Sequence, residues 1–160
     1  RDYAVTGVQT CALPIYEAGA VIRATVAGAD VTYGLSELAF PGGRLRVPHL
    51  GLALGTPVRV RIRARDVALA LAPPQGLSIL NVFAGRVLEL ARDQSPMVDV
   101  RLDIGKPERP VVLWARITRR SAHELALVEG KPIYALVKSV ALDRMSFSPY
   151  SPLGGEADGL

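Results

Sequence analysis

From Tyr16 onward, apolar and polar residues alternate over short runs, and each run ends in glycine, proline or aspartate. Period two sends successive side chains to opposite faces of an extended chain, so the pattern predicts half-buried β-strands. In the first half these are residues 20–26, 34–40, 44–47 and 58–70, with Gly42-Gly43 as a hairpin signal. In the second half they are 84–91, 98–104, 111–118 and 133–142, with turns at Asp93-Gln94-Ser95-Pro96 and Gly105-Lys106-Pro107. One helix is predicted. Ser121-Ala122-His123-Glu124 fits a capping box in which Ser121 reaches forward and Glu124 reaches back; Leu125 and Leu127 follow, and Gly130 stops it.

The halves repeat at an offset of 75: Leu50, Leu52, Gly55, Pro57, Val58 and Ile62 correspond to Leu125, Leu127, Gly130, Pro132, Ile133 and Val137. Pro73-Pro74-Gln75-Gly76 between them cannot continue a central strand, because each proline removes a ladder donor. Two strand-rich units of this size are marginal alone and predict an all-β fold of two small OB-like barrels, with one short helix in the second. The expected divisions are 16–72 for the first barrel, 73–77 for the linker and 78–143 for the second barrel. Residues 144–160, with Pro149, Pro152, Gly154 and Gly155, are expected to be a disordered tail. The run 5–15 (VTGVQTCALPI) resembles the conceptual translation of a sequencing-adapter primer, so residues 1–15 are set aside as an artefact and the chain is expected to be a fragment.

Of 160 residues, 49% are hydrophobic and 21% charged, enough to bury a core and too apolar for a disordered chain. No apolar run reaches the roughly 20 residues of a membrane-spanning helix. Neither a Gly-x-x-x-x-Gly-Lys-Ser/Thr loop nor a Gly-x-Gly-x-x-Gly turn occurs, and a nucleotide-driven motor does not fit in this length. Cys11 is the single cysteine, which excludes an intramolecular disulfide and a thiol-only zinc site. His49 and His123 come without a nucleophile motif and are expected to be structural, so the chain is read as non-catalytic, with no metal site.

Four places carry candidate chemistry. Arg59, Arg61, Arg63 and Arg65 alternate with Val58, Val60, Ile62 and Ala64, giving a strand with one cationic face. Such a face is either solvated and ion-paired, with Asp66, Glu37 and Glu89 available, or a phosphate-tracking surface. Aromatic residues interleaved for base stacking are missing from it. Thr118-Arg119-Arg120-Ser121-Ala122 places two hydroxyls at a helix start, where free amides and the dipole favour an anion; the competing reading spends Ser121 and Glu124 on capping. Ser78-Ile79-Leu80-Asn81 opens the second half with turn-forming residues. Lys138 interrupts an apolar run, on the face of Leu136 and Val140, and either reaches solvent or compensates an anion.

These segments resemble the C-terminal part of the ATP-binding subunit of the molybdate ABC importer. The likeness is carried by 59–71 (RVRIRARDVALAL), 78–85 (SILNVFAG), 113–127 (LWARITRRSAHELAL) and 134–142 (YALVKSVAL). The second half is similar to a Mop, or molybdopterin-binding-like, domain and the first to its accompanying TOBE barrel. The resemblance implies a molybdate or tungstate site at a seam between barrels, with Ser78, Leu80, Asn81, Thr118, Ser121, Ala122 and Lys138 as its residues. Leu80 stands where some relatives have arginine and offers only its backbone. The resemblance also implies a nucleotide-binding domain upstream, where ATP would bind, no cofactor besides the oxyanion, and a homodimer. Permease subunits would be met through the parent chain, at the cytoplasmic face of the bacterial membrane, with no nucleic acid as partner. Two rivals keep the fold: a module that only dimerises, and an RNA- or single-strand-binding barrel.

Overall fold

The computed structural model describes residues 19–91, 93–142 and 147–149. The supposed adapter run lies outside them, as does most of the expected tail. The chain is all-β, with strands β1 (Gly19–Asp30), β2 (Leu35–Phe40), β3 (Gly43–Pro48), β4 (Pro57–Arg63), β5 (Val67–Ala70), β6 (Asn81–Leu90), β7 (Met97–Asp103), β8 (Val112–Thr118), β9 (Pro132–Val137) and β10 (Phe147–Pro149). A helix, α1 (Arg119–Glu124), follows β8. Two five-stranded antiparallel sheets result, ordered β10-β4-β1-β2-β3 and β5-β9-β6-β7-β8.

The internal repeat holds down to single hydrogen bonds. Ladder register shifts between Val26 and Gly28 in β1, and between Val87 and Glu89 in β6. Gly55 N donates to Val26 O at 2.8 Å, and Gly130 N to Val87 O at 2.7 Å. Val26 N donates to Thr56 O at 2.9 Å, and Val87 N to Lys131 O at 2.9 Å. Gly55 and Gly130 both sit at φ +85°, a left-handed conformation that disfavours any Cβ.

Residues 58–70, expected as one strand, are two. Val58, Val60, Ile62 and Ala64 are buried at even positions, whereas the next buried apolar residue is Val67. A straight strand cannot change parity, so the chain turns through a 3-10 segment, Ala64–Asp66, and leaves its sheet. β5 then pairs with β9 of the second sheet, and β10 returns to pair with β4 of the first. Each sheet is therefore completed by a strand from the other half. Residues 147–149 of the expected disordered tail are thus ordered as an edge strand. The run 133–142 is likewise shorter than expected: β9 ends at Val137, and Ser139–Ala141 form a second 3-10 turn.

One apolar core runs through both sheets, with Ile22, Leu45 and Ile62 of the first and Leu102, Leu113 and Ile133 of the second all essentially inaccessible. Phe40 and Phe83 join the halves edge to face, with ring centroids 5.1 Å apart. The β2–β3 turn packs so closely that a Cβ on Gly42 would strike the Ile104 carbonyl and the Phe40 ring. No helix among the described residues is long and apolar enough to cross a membrane.

Candidate functional site

The helix begins earlier than the capping-box reading places it. β8 pairs with β7 as far as Met97↔Thr118, and Arg119 N then donates to Pro96 O at 2.8 Å, so helical turning starts at Arg119. Thr118 is the N-cap, in extended backbone, and its Oγ1 accepts from Ser121 N at 3.0 Å. Glu124 does not reach back; it accepts from Arg120 Nε at 2.8 Å, one turn away. Ser121 is therefore the capped residue rather than the cap.

This shift changes what the hydroxyls can do. Thr118 Oγ1 and Ser121 Oγ lie 2.8 Å apart and share one hydrogen bond. Two hydroxyls carry two hydrogens, and the shared bond consumes one, whichever atom donates. One hydrogen is left for an acceptor from outside. Ala122 turns inward and is buried, anchoring the turn to the core. The helix is only six residues long, so the hydroxyl pair matters more here than the dipole.

Ser78 and Leu80 are exposed in the segment between β5 and β6. Asn81, the first residue of β6, is 1% exposed, and its amide is fully engaged. Oδ1 accepts from Arg46 N at 2.7 Å, while Nδ2 donates to Arg46 O at 2.9 Å and to Ser139 Oγ at 3.2 Å. Lys138 lies beyond the end of β9, exposed and in extended backbone before the 3-10 turn, so strand alternation does not govern it.

A cavity of about 250 Å³ brings Lys138 beside Ile79, with Asp66 and Ala68 on its wall. A second, of about 320 Å³, joins Ser121 to Ala68, Ile117 and Glu124. Ala68 of β5 borders both, so Lys138 and Ser121 line different cavities that meet at one edge strand; Ser78, Leu80, Asn81, Thr118 and Ala122 line neither of these two. Sequence reasoning passed over Arg46 and Ser139, which hold Asn81. The only sequence hint was a serine in an apolar run, at Ser139, since backbone partners such as Arg46 leave no side-chain signature.

Glu37, an expected counter-charge of the β4 arginine stripe, instead accepts from two arginines of β3, Arg44 at 3.0 Å and Arg46 at 3.3 Å. Arg23, Arg59 and Arg61 are each engaged by a partner as well. Glu89, one of the expected counter-charges, meets Arg101 of β7 at 3.5 Å rather than the stripe. His49 lies beside the buried Ser36 hydroxyl at 3.4 Å. Among the described residues, no three His, Cys, Asp or Glu side chains converge as a metal site.

The TOBE domain model matches residues 77–143, so it falls on the half read from sequence as the Mop unit and not on the half read as the TOBE barrel. Over most of its length the chain matches the C-terminal region of ATP-binding subunits of molybdate importers. It is 42% identical over 137 residues, 85% of its length, to the Molybdenum import ATP-binding protein ModC of Rhodospirillum rubrum. It is 44% identical over 81% of its length to the ModC of Paramagnetospirillum magneticum, and 46% identical over 79% to that of Thiobacillus denitrificans. The chain spans 37%, 34% and 34% of those relatives, about a third of each. Among solved structures, it superposes on the cytoplasmic molybdate-binding protein ModG in a molybdate-bound crystal form. The TM-score is 0.64 at 22% identity, over 74% of this chain and 89% of that one, which fixes the OB-like fold.

Proposed function

We propose that this chain is the accessory oxyanion-binding region of a molybdate import ATPase subunit, and that it takes molybdate or tungstate without catalysing a reaction itself. The observation that carries the reading is the unspent hydroxyl hydrogen of the Thr118–Ser121 pair, held at the surface by a rigid cap. A tetrahedral dianion is well served by neutral donors on fixed backbone, which replace its water without demanding a full ion pair. The Ser78 hydroxyl and the Leu80 main-chain amide would add donors, and Lys138 the positive charge; Ala122, fourth residue of the helix, spends its amide on the i→i−4 ladder and serves by anchoring the turn. Because Lys138 and Ser121 line different cavities beside β5, a homodimer that sets Lys138 of one copy near Thr118 of the other would complete the site. In the parent subunit, ATP hydrolysis, contact with membrane permeases and placement at the cytoplasmic face of the membrane would belong to the remaining two-thirds. The reading calls for no resident cofactor.

Calorimetry and thermal unfolding with sodium molybdate, with sulfate as control, test it. Ligand at 100 times its dissociation constant stabilises the folded state by about 2.7 kcal/mol, so a clear rise in melting temperature is expected with molybdate and tungstate only. Thr118→Val should abolish the heat while leaving the fold. Dimerisation without any heat from either oxyanion would favour the dimerisation-only module.

A further inference from the structure

Asn81 stands where the two halves of the molecule touch. Two of its side-chain bonds reach Arg46 of the far half, while the third goes to Ser139 of its own. A side-chain amide has one acceptor and two N–H donors. Here the amide grips both backbone groups of Arg46 on the open edge of β3, as a neighbouring strand would. Ser139 Oγ donates to the same Arg46 carbonyl at 2.7 Å while accepting from Asn81 Nδ2. Asn81, Ser139 and Arg46 thus close a ring of hydrogen bonds across the seam. Both amide hydrogens of Asn81 are committed, and Oδ1 is an acceptor, so this side chain has nothing to offer an anion.

Its place in the chain gives the ring a purpose. Asn81 directly follows the Ser78–Leu80 segment, and Ser139 directly follows Lys138. Two separate contributors to the proposed oxyanion site are therefore each adjacent to a residue that holds β3. We infer that Asn81 and Ser139 are positioning residues, a latch through which oxyanion occupancy stiffens the edge of the first sheet. The inference rests on the reading that Ser78–Leu80 and Lys138 meet the ligand. Beyond the latch, the Arg46 guanidinium shares Glu37 of β2 with Arg44, so the β2–β3 edge is what the ligand would order. Linkage makes the effect reciprocal: loosening Arg46 must weaken the oxyanion site by the same factor.

Residue-resolved amide hydrogen exchange on the full 160-residue chain, with and without saturating molybdate, tests the latch. In the unaltered chain, molybdate should slow exchange at the Arg46 amide by at least about fivefold, the low end of ordinary coupling. Asn81→Ala should abolish that slowing while protection near Ser78 persists. Ser139→Ala removes the two bonds of the Ser139 hydroxyl and leaves both Asn81–Arg46 bonds; it should reduce the slowing at Arg46, and Ser139→Thr should restore it. A structural role alone predicts no ligand-dependent difference at Arg46. Calorimetric binding with unchanged Arg46 exchange would overturn the latch and leave the oxyanion reading standing. No calorimetric binding to the unaltered chain would overturn both.

Discussion

The two halves share a frame and differ in what hangs from it. In the first, β2 and β3 are joined by the two-residue turn Pro41-Gly42, and β3 and β4 by a coil over residues 49–56. In the second, the corresponding joints are an eight-residue loop, 104–111, and the segment containing α1. The long loop is pinned by Asp103, a carboxylate 8% exposed whose Oδ1 accepts from Gly105 N at 2.9 Å and Val111 N at 3.0 Å. Hydroxyls divide the same way. Ser36 of the first half is buried and accepts from Leu50 N at 3.1 Å, so it serves the fold. Thr118 and Ser121 satisfy their own turn and still keep a hydrogen for the outside. The ladder bonds repeat between the halves, and the proposed oxyanion donors sit where the exit from one strand is longer.

The strand exchange makes a strong claim about this pair: neither half is a separate folding unit. Leu45 on β3 and Leu113 on β8 are both wholly buried, one in each sheet. Leu45→Ala and Leu113→Ala should each cost about 3 kcal/mol, mostly from the cavity left behind. Because β5 and β10 cross between halves and the core is continuous, both variants should lower the same single transition in denaturant, followed by circular dichroism. Two separable transitions, each sensitive to one substitution, would break the comparison.

Much of the frame was legible because alternation is local. β1, β2, β3, β7 and β8 each overlap the strand read from period two, and the Gly55/Gly130 correspondence emerges with matching dihedrals. What escaped depends on distant partners. A switch in apolar parity between Ala64 and Val67 was visible, yet only the pairing of Val67 with Val137 shows why the chain turns there. The helix start was misplaced for a related reason. Both Thr118 and Ser121 are good capping residues, and the choice falls to the β7–β8 ladder, which carries Thr118 in extended backbone up to the first turn. Asn81 reads as a turn former beside Ser78. That its amide mimics a strand neighbour for Arg46, 35 residues earlier, is a property of the assembled halves alone.

A smaller effect tests how faithfully the frame repeats. Gly55 and Gly130 have open space where a Cβ would go, so alanine meets no clash and only the left-handed backbone resists it. Gly55→Ala and Gly130→Ala should therefore each cost about 1 kcal/mol, and by nearly equal amounts, in equilibrium urea unfolding. A large difference between them would mean that the second turn is braced by its helix in a way the first is not.

The smallest expected effect on stability bears most directly on the chemical difference. At the repeat offset of 75, Glu124 falls on His49, so the first half carries no acid at that position. The Glu124 carboxylate pairs with Arg120 one helical turn away, where both side chains are well exposed, so Glu124→Gln should change stability by no more than about 0.5 kcal/mol. Yet Glu124 lines the same cavity as Ser121, where its charge opposes an approaching dianion. Removing that charge leaves the hydroxyl pair intact, because Thr118, not Glu124, caps the helix. Molybdate affinity measured by calorimetry should then rise by about two- to fivefold at low salt, with the gain fading as salt screens the charge. A variant that loses affinity would mean instead that Glu124 organises the turn, and that the capping-box reading of Ser121 describes the bound state better than the free one.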